Sequence, residues 1–172
     1  MKTTFILRKR RLTVIPLLTA AGAVVFVFES LIPQPLPWAR LGLSNIVVLL
    51  ALYYYGFREA LAVSWLRVLV GGLFTGGLFS PAFIFGMTGG FFSAVVMAGA
   101  RKTGKSRFSP IGISILGAAA HSVGQLAAAY LLFIGHKAIW NLLPYMLLTS
   151  IFTGGVVGVI GSEVLERVKI ND

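Results

Sequence analysis

The chain has 172 residues, no cysteine and a single aspartate, Asp172 at its end. Without cysteine there is no disulfide framework and no thiolate chemistry. Acidic residues are scarce, five in all, and there are two histidines, His121 and His136. Metal binding would have to use these few groups, and none of them cluster, so no metal site is expected. Paired carboxylates for acid–base chemistry are also absent. Charged residues of either sign make up only 12% of the chain against 57% hydrophobic. A soluble domain carries about 25% charged residues. With a mean hydropathy of +0.89, the deficit points to an all-α integral membrane protein. The net charge of +10 would suit nucleic acid, but the cations lie between apolar runs, which is the membrane pattern, and no nucleic-acid partner is expected.

What is present is a series of apolar segments. Six are expected, at about 12–31, 43–55, 60–78, 82–100, 110–134 and 143–164, forming one membrane domain. The basic start followed by an apolar run resembles a signal peptide, with Ala20-Ala21-Gly22-Ala23 as a candidate cleavage site. The run is about 20 residues long, enough to span a bilayer, so it is read as a retained first helix. Six spans place both termini on one side. Twelve Lys and Arg then lie on the side of the termini, Arg40 and Lys137 on the other, and Arg67 inside a span. By the positive-inside rule both termini are cytoplasmic. The basic loop 101–109 is then cytoplasmic, and the loop 32–42 and the turns at 79–81 and 135–141 face outward.

The outward loop carries Pro33, Pro35 and Pro37. Proline at every second position favours a stiff extended path. Such a loop suits a lid or the wall of a site, or serves only as a connector. Small residues recur at every fourth position: Ser150, Gly154, Gly158 and Ser162; Ala120, Gly124 and Ala128; Gly72 and Gly76. That spacing lets helices approach closely in lipid. On the first segment Pro16/Ala20 and Thr19/Ala23 repeat it, for packing inside the bundle or for docking another membrane protein.

Polar residues at membrane depth are few. Arg67 lies about nine residues, roughly 13 Å, into the third segment. An arginine at mid-membrane costs ~2.5–3.5 kcal/mol on insertion scales and needs a partner or a wet cavity. Glu29, at the outer end of the first segment, either pairs with it or leaves it for an anionic substrate. His121 and Gln125 are four apart and share a helix face. Asn45 begins the second segment, where it caps the helix or reaches into the same cavity. Gly104-Lys105-Ser106 resembles the end of a Walker motif, but it sits in a turn between apolar segments, without the strand–loop–helix context. A nucleotide site for energy coupling, if one is used, belongs to another subunit.

Read together, Glu29-x3-Pro33-x-Pro35, Arg40-x-Gly42-Leu43-x-Asn45, Arg67 with Gly71-Gly72, Gly89-Gly90 and Gly117-Ala118-x2-His121-x2-Gly124-Gln125 resemble the bacterial family labelled heptaprenyl diphosphate synthase component I, or Gx transporters. The resemblance spans about 12–164. Ser122 departs from the asparagine expected after the histidine. The label implies partnership with a prenyl synthase, yet the aspartate-rich motifs of such enzymes are absent, and no catalytic role and no cofactor are expected. The family is also similar to the substrate-binding S components of energy-coupling factor transporters, six-helix proteins of the bacterial cytoplasmic membrane. These bind a vitamin-like compound and dock on a membrane scaffold (T-type) subunit coupled to ATPases. The expected substrate site is Glu29, Trp38, Arg40, Asn45, Arg67, His121, Gln125, Trp140 and Asn141, with the two tryptophans stacking or closing the lid. It implies scaffold docking through Pro16, Thr19, Ala20 and Ala23, although the strict pair of alanines four apart is missing. The alternative is a membrane accessory subunit in isoprenoid, quinone or flavin-linked redox metabolism.

Overall fold

The computed structural model describes residues 2–31, 42–104 and 108–170, and among them every regular element is helical. In chain order these are α1 (Lys2–Leu31), α2 (Asn45–Tyr54), α3 (Phe57–Phe74), α4 (Pro81–Gly104), α5 (Pro110–Ala129), a π-helical turn (Tyr130–Ile134), a 3-10 helix (Lys137–Leu142) and α6 (Leu143–Ile170).

The short helix α2 is the hub. Its sequence is apolar on every side, so it is stable only when surrounded. Seven of its ten residues are buried, and it touches α1, α3, α4, α5 and α6. At about 1.5 Å per residue it is roughly 15 Å long, half the ~30 Å hydrocarbon core, and does not cross a bilayer alone. Among the described residues, four segments have the length and apolarity to cross: Thr13–Leu31, Pro81–Gly104, Pro110–Ile134 and Lys137–Arg167. The 18 residues of α3 carry Arg58, Glu59 and Arg67. Each of the six expected segments is therefore a helix, and four of them are span-like.

Several boundaries differ from the sequence expectation. The polar turn at 56–59 shrinks, because α3 begins at Phe57 with Glu59 in its first turn, where an acid favours the helix dipole. α3 ends at Phe74, four residues early. Gly76 has φ 66°; its N–H donates to Leu73 O, and Gly77 N–H donates to Gly72 O at 2.9 Å. That is a Schellman closure, which needs a left-handed residue after the last turn. Gly76 is thus a helix stop rather than part of a packing stripe. α4 runs on to Gly104. The last turn of the fifth segment widens into the π turn, and 137–142 forms the 3-10 helix, with His136 Nδ1 accepting from Ala138 N–H at 3.2 Å. α5 starts as its sequence dictates: Ser109 caps it, accepting from Gly112 N–H, and Pro110 opens the first turn.

Gly124, Ser150, Gly154 and Gly158 do pack helices. A β-carbon built on Gly154 would lie 2.8 Å from Ile115 Cα, and one on Gly158 would lie 2.6 Å from Ile111 Cα. Ser150 Oγ bonds Ser122 Oγ at 2.6 Å. α6 therefore lies backbone-close on α5. A β-carbon on Gly124 would likewise meet Gly89 Cα at 3.2 Å, so α4 closes on the other side of α5. This leaves α5 clamped between two neighbours, with His121 and Gln125 held at fixed height.

Candidate functional site

The site is assembled at the end of the bundle where α1 and α3 finish and α2 and α4 begin. On α1, Thr19, Gly22, Ala23, Phe26 and Glu29 share the buried face, following the helical repeat. Gly22 provides the notch for the arginine stem: a β-carbon there would lie 2.6 Å from Val47 Cγ2 and 3.2 Å from Arg67 Cδ. Gly71 does the same for the Phe26 ring, and Gly89 for the His121 ring, at 2.8 Å.

Glu29 and Arg67 are 2% and 1% exposed, and side chains at the start of α2 join them. Gly42, at φ 76°, turns the chain so that Leu43 N–H donates to Glu29 Oε1. Ser44 Oγ donates to Glu29 Oε2 at 2.9 Å and accepts from Arg67 Nη1. Arg67 Nη2 donates to Asn45 Oδ1 at 2.6 Å. Acid, hydroxyl, guanidinium and amide thus form one network across three helices. Two opposite charges sharing hydrogen bonds offset much of the desolvation cost that each would meet alone. Asn45 accepts from Arg67, and neither Ser44 nor Asn45 spends its side chain capping α2.

Ser44 is the residue that the sequence reading passed over. Its signal is weak: a serine at a helix start reads as a cap. Hydrogen bonds to charged groups contribute about 1.5–3 kcal/mol. Ser44→Ala is therefore expected to lower stability by roughly that amount, measured as denaturant unfolding in detergent.

A cavity of about 10 Å³ lies between Phe26, Glu29, Ser44, Arg67, Gly86 and His121. That is room for one water. Gln125, one turn beyond His121, is fully buried, and neither its amide oxygen nor its amide nitrogen has a hydrogen-bond partner among the described residues. Buried amides of this kind are rare and call for an explanation.

The other expected site residues are placed differently. Trp38 and Arg40 lie outside the described residues. Trp140 does not line the cavity; it packs on an apolar cluster that includes Phe85, Leu126, Ile139 and Met146, with its ring 6.1 Å from that of Tyr130. Asn141 is exposed. The docking set divides, with Thr19 and Ala23 inward and Pro16 and Ala20 outward. Ala20 and Ala23 both border an apolar groove of about 420 Å³ between α1 and α3. Gly99-x4-Gly104-Lys105-Ser106 does match the full Walker spacing. Its residues 99–104 are nevertheless α-helical, so their amides do not form the open loop that cradles phosphate.

Fold and site define a helical membrane protein with a charged, hydrogen-bonded network buried at one end. The chain belongs to the heptaprenyl diphosphate synthase component I family, whose model matches residues 18–164. No curated protein and no solved structure matches it.

Proposed function

We propose that the chain is a non-catalytic substrate-binding subunit of a bacterial uptake transporter, taking a small polar vitamin- or cofactor-like compound and energised by separate ATPase subunits. The observation that carries this reading is the fully buried Gln125 amide without a hydrogen-bond partner among the described residues, one turn from His121, which lines the small cavity with Arg67. An unsatisfied buried amide costs about 1–3 kcal/mol, and a ligand offering a donor and an acceptor would recover it. In this reading Arg67 supplies positive charge, and Asn45, His121 and Gln125 supply direction. The one-water cavity is the closed state. A larger ligand is admitted when the end of α1 and the start of α2 separate. With six spans and both termini cytoplasmic, as the charge pattern implies, that end of the bundle faces outward.

Gln125→Leu separates function from architecture. A leucine fills similar space without a polar group to satisfy. Unfolding stability is expected to stay level or rise by about 1–3 kcal/mol, while small molecules that copurify with the chain are lost. A marked loss of stability with ligand retained would assign Gln125 to structure alone. A second reading is favoured by the family's description: a membrane accessory subunit that holds a soluble prenyl synthase component at the basic end, near Arg101 and Lys102. Copurification of such an enzyme, abolished by neutralising those cations, would support it.

A further inference from the structure

At the end of the bundle opposite Glu29, a groove of about 600 Å³ opens between the α2–α3 turn and the last turns of α4. Gly56 and Phe57 form one wall, Val95 and Gly99 the other, and Arg101 and Lys102 stand at its head. We propose that this groove is a binding site for one anionic phospholipid from the leaflet at that end, with the phosphate at the cations and an acyl chain along the α3–α4 seam. The site does not depend on the transporter reading.

Three observations converge on it. First, the charge is fixed in place. The Arg101 guanidinium donates to the carbonyls of Leu52 and Tyr53 and lies 4.4 Å over the Tyr53 ring. It ties down the last turn of α2, where the Leu52 carbonyl also accepts from Gly56 N–H, and it is held at the groove head. Lys102 beside it is exposed, as is Arg58 in the first turn of α3. Glu59 is the only acid in that turn, so the balance stays positive. Basic pockets between membrane helices suit anionic head groups.

Second, depth and polarity fit an amphiphile. The cations lie in the last turn of α4, a helix long and apolar enough to cross the bilayer, which puts them at head-group level. From there the seam continues as an apolar track: Val95 is exposed, and Trp65 and Phe91 stack with ring centroids 6.3 Å apart.

Third, the groove owes its depth to a glycine that helix packing does not require. A β-carbon on Gly99 meets nothing within 4 Å, unlike the glycines that pack α4 on α5. A mid-helix glycine is disfavoured by about 1 kcal/mol relative to alanine. Here the missing side chain does no packing and leaves an opening.

That glycine also supplies the test. Gly99→Leu would occupy the groove from within without touching the protein at its β-carbon, and Lys102→Gln would remove an exposed cation from the groove head. Gly155→Leu adds a leucine at another uncrowded glycine and serves as control. Arg101 is left intact because it also caps α2. The full chain is exchanged into detergent with dioleoylphosphatidylglycerol or dioleoylphosphatidylcholine and examined by native mass spectrometry, with thermal unfolding measured in parallel. The native chain and Gly155→Leu should each retain one phosphatidylglycerol in preference to phosphatidylcholine. Gly99→Leu and Lys102→Gln should each lower retention about tenfold, equivalent to roughly 1.4 kcal/mol of binding, with lipid-free unfolding unchanged. Equal retention of the two lipids, or phosphatidylglycerol retention by Gly99→Leu and Lys102→Gln matching the native chain, would overturn the proposal.

Discussion

Arg67→Leu is expected to be the most damaging single substitution in the chain. The guanidinium is 1% exposed and ties Glu29, Ser44 and Asn45 across α1, α2 and α3. Its removal leaves a carboxylate buried at 2% exposure without the cation of its network. Breaking a buried ion pair by deleting one partner costs about 3–5 kcal/mol, a large fraction of a typical stability of about 5–15 kcal/mol. Leucine adds no compensating contact with the polar groups left behind. The check is a double-mutant cycle with Arg67→Gln and Glu29→Gln, read by denaturant unfolding in detergent. Each single variant strands one charge, whereas the double variant strands none. It should therefore be less destabilised than the sum of the two, by a coupling of about 0.5–3 kcal/mol. Strictly additive losses would mean that the two charges do not sense each other through Ser44.

The second large effect is expected where α6 meets α5. Gly154→Leu and Gly158→Leu would each drive a side chain into backbone, 2.8 Å from Ile115 Cα and 2.6 Å from Ile111 Cα. A side chain in the way can rotate, but a helix backbone can only move as a unit. Overpacking in well-packed interiors costs about 1–3 kcal/mol, and these sites belong at or above the top of that range. Helix association in lipid has no hydrophobic drive to make good the lost approach. The shift would also strain the Ser122–Ser150 bond of 2.6 Å and move α5, which carries His121 and Gln125. Gly155→Leu, with nothing within 4 Å of its β-carbon, should leave stability within about 0.5 kcal/mol of the native value, as surface changes usually do. If all three glycines tolerate leucine equally, the close α5–α6 contact is not what holds the pair together.

Much of this arrangement is legible in the sequence wherever a residue contrasts with its surroundings. Glu29, Asn45, Arg67, His121 and Gln125 stand out because they interrupt apolar runs, and the structure buries all five. The spacing of Ser150, Gly154 and Gly158 anticipates a close helix face because small side chains have few other reasons to recur every fourth residue. Ser44 lacks such contrast, since a serine before a helix reads as a cap and its reach toward both Glu29 and Arg67 exists only once three helices are placed. Gly22 is hidden for a related reason: within Ala20–Ala23 it reads as one of several small residues, while its function is to let the Arg67 stem pass. The ends of α3 depend on local hydrogen bonding at Gly56 and Gly76, which hydropathy does not register. Trp140 has a placement that the sequence does not announce. An aromatic near a helix end suggests a stacking platform, yet its surroundings make it part of an apolar cluster with Ile139 and Met146.

The central claim is that the Arg67–Gln125 end of the bundle holds a small polar compound. The most direct test is a native mass spectrum of the full chain, purified gently from its own cells into lipid nanodiscs, followed by identification of whatever is released. The account predicts one non-lipid adduct of low mass per chain in the native protein, absent from a Gln125→Leu variant that unfolds no earlier. A native chain that carries no such adduct, or a Gln125→Leu variant that carries it undiminished, would contradict the account.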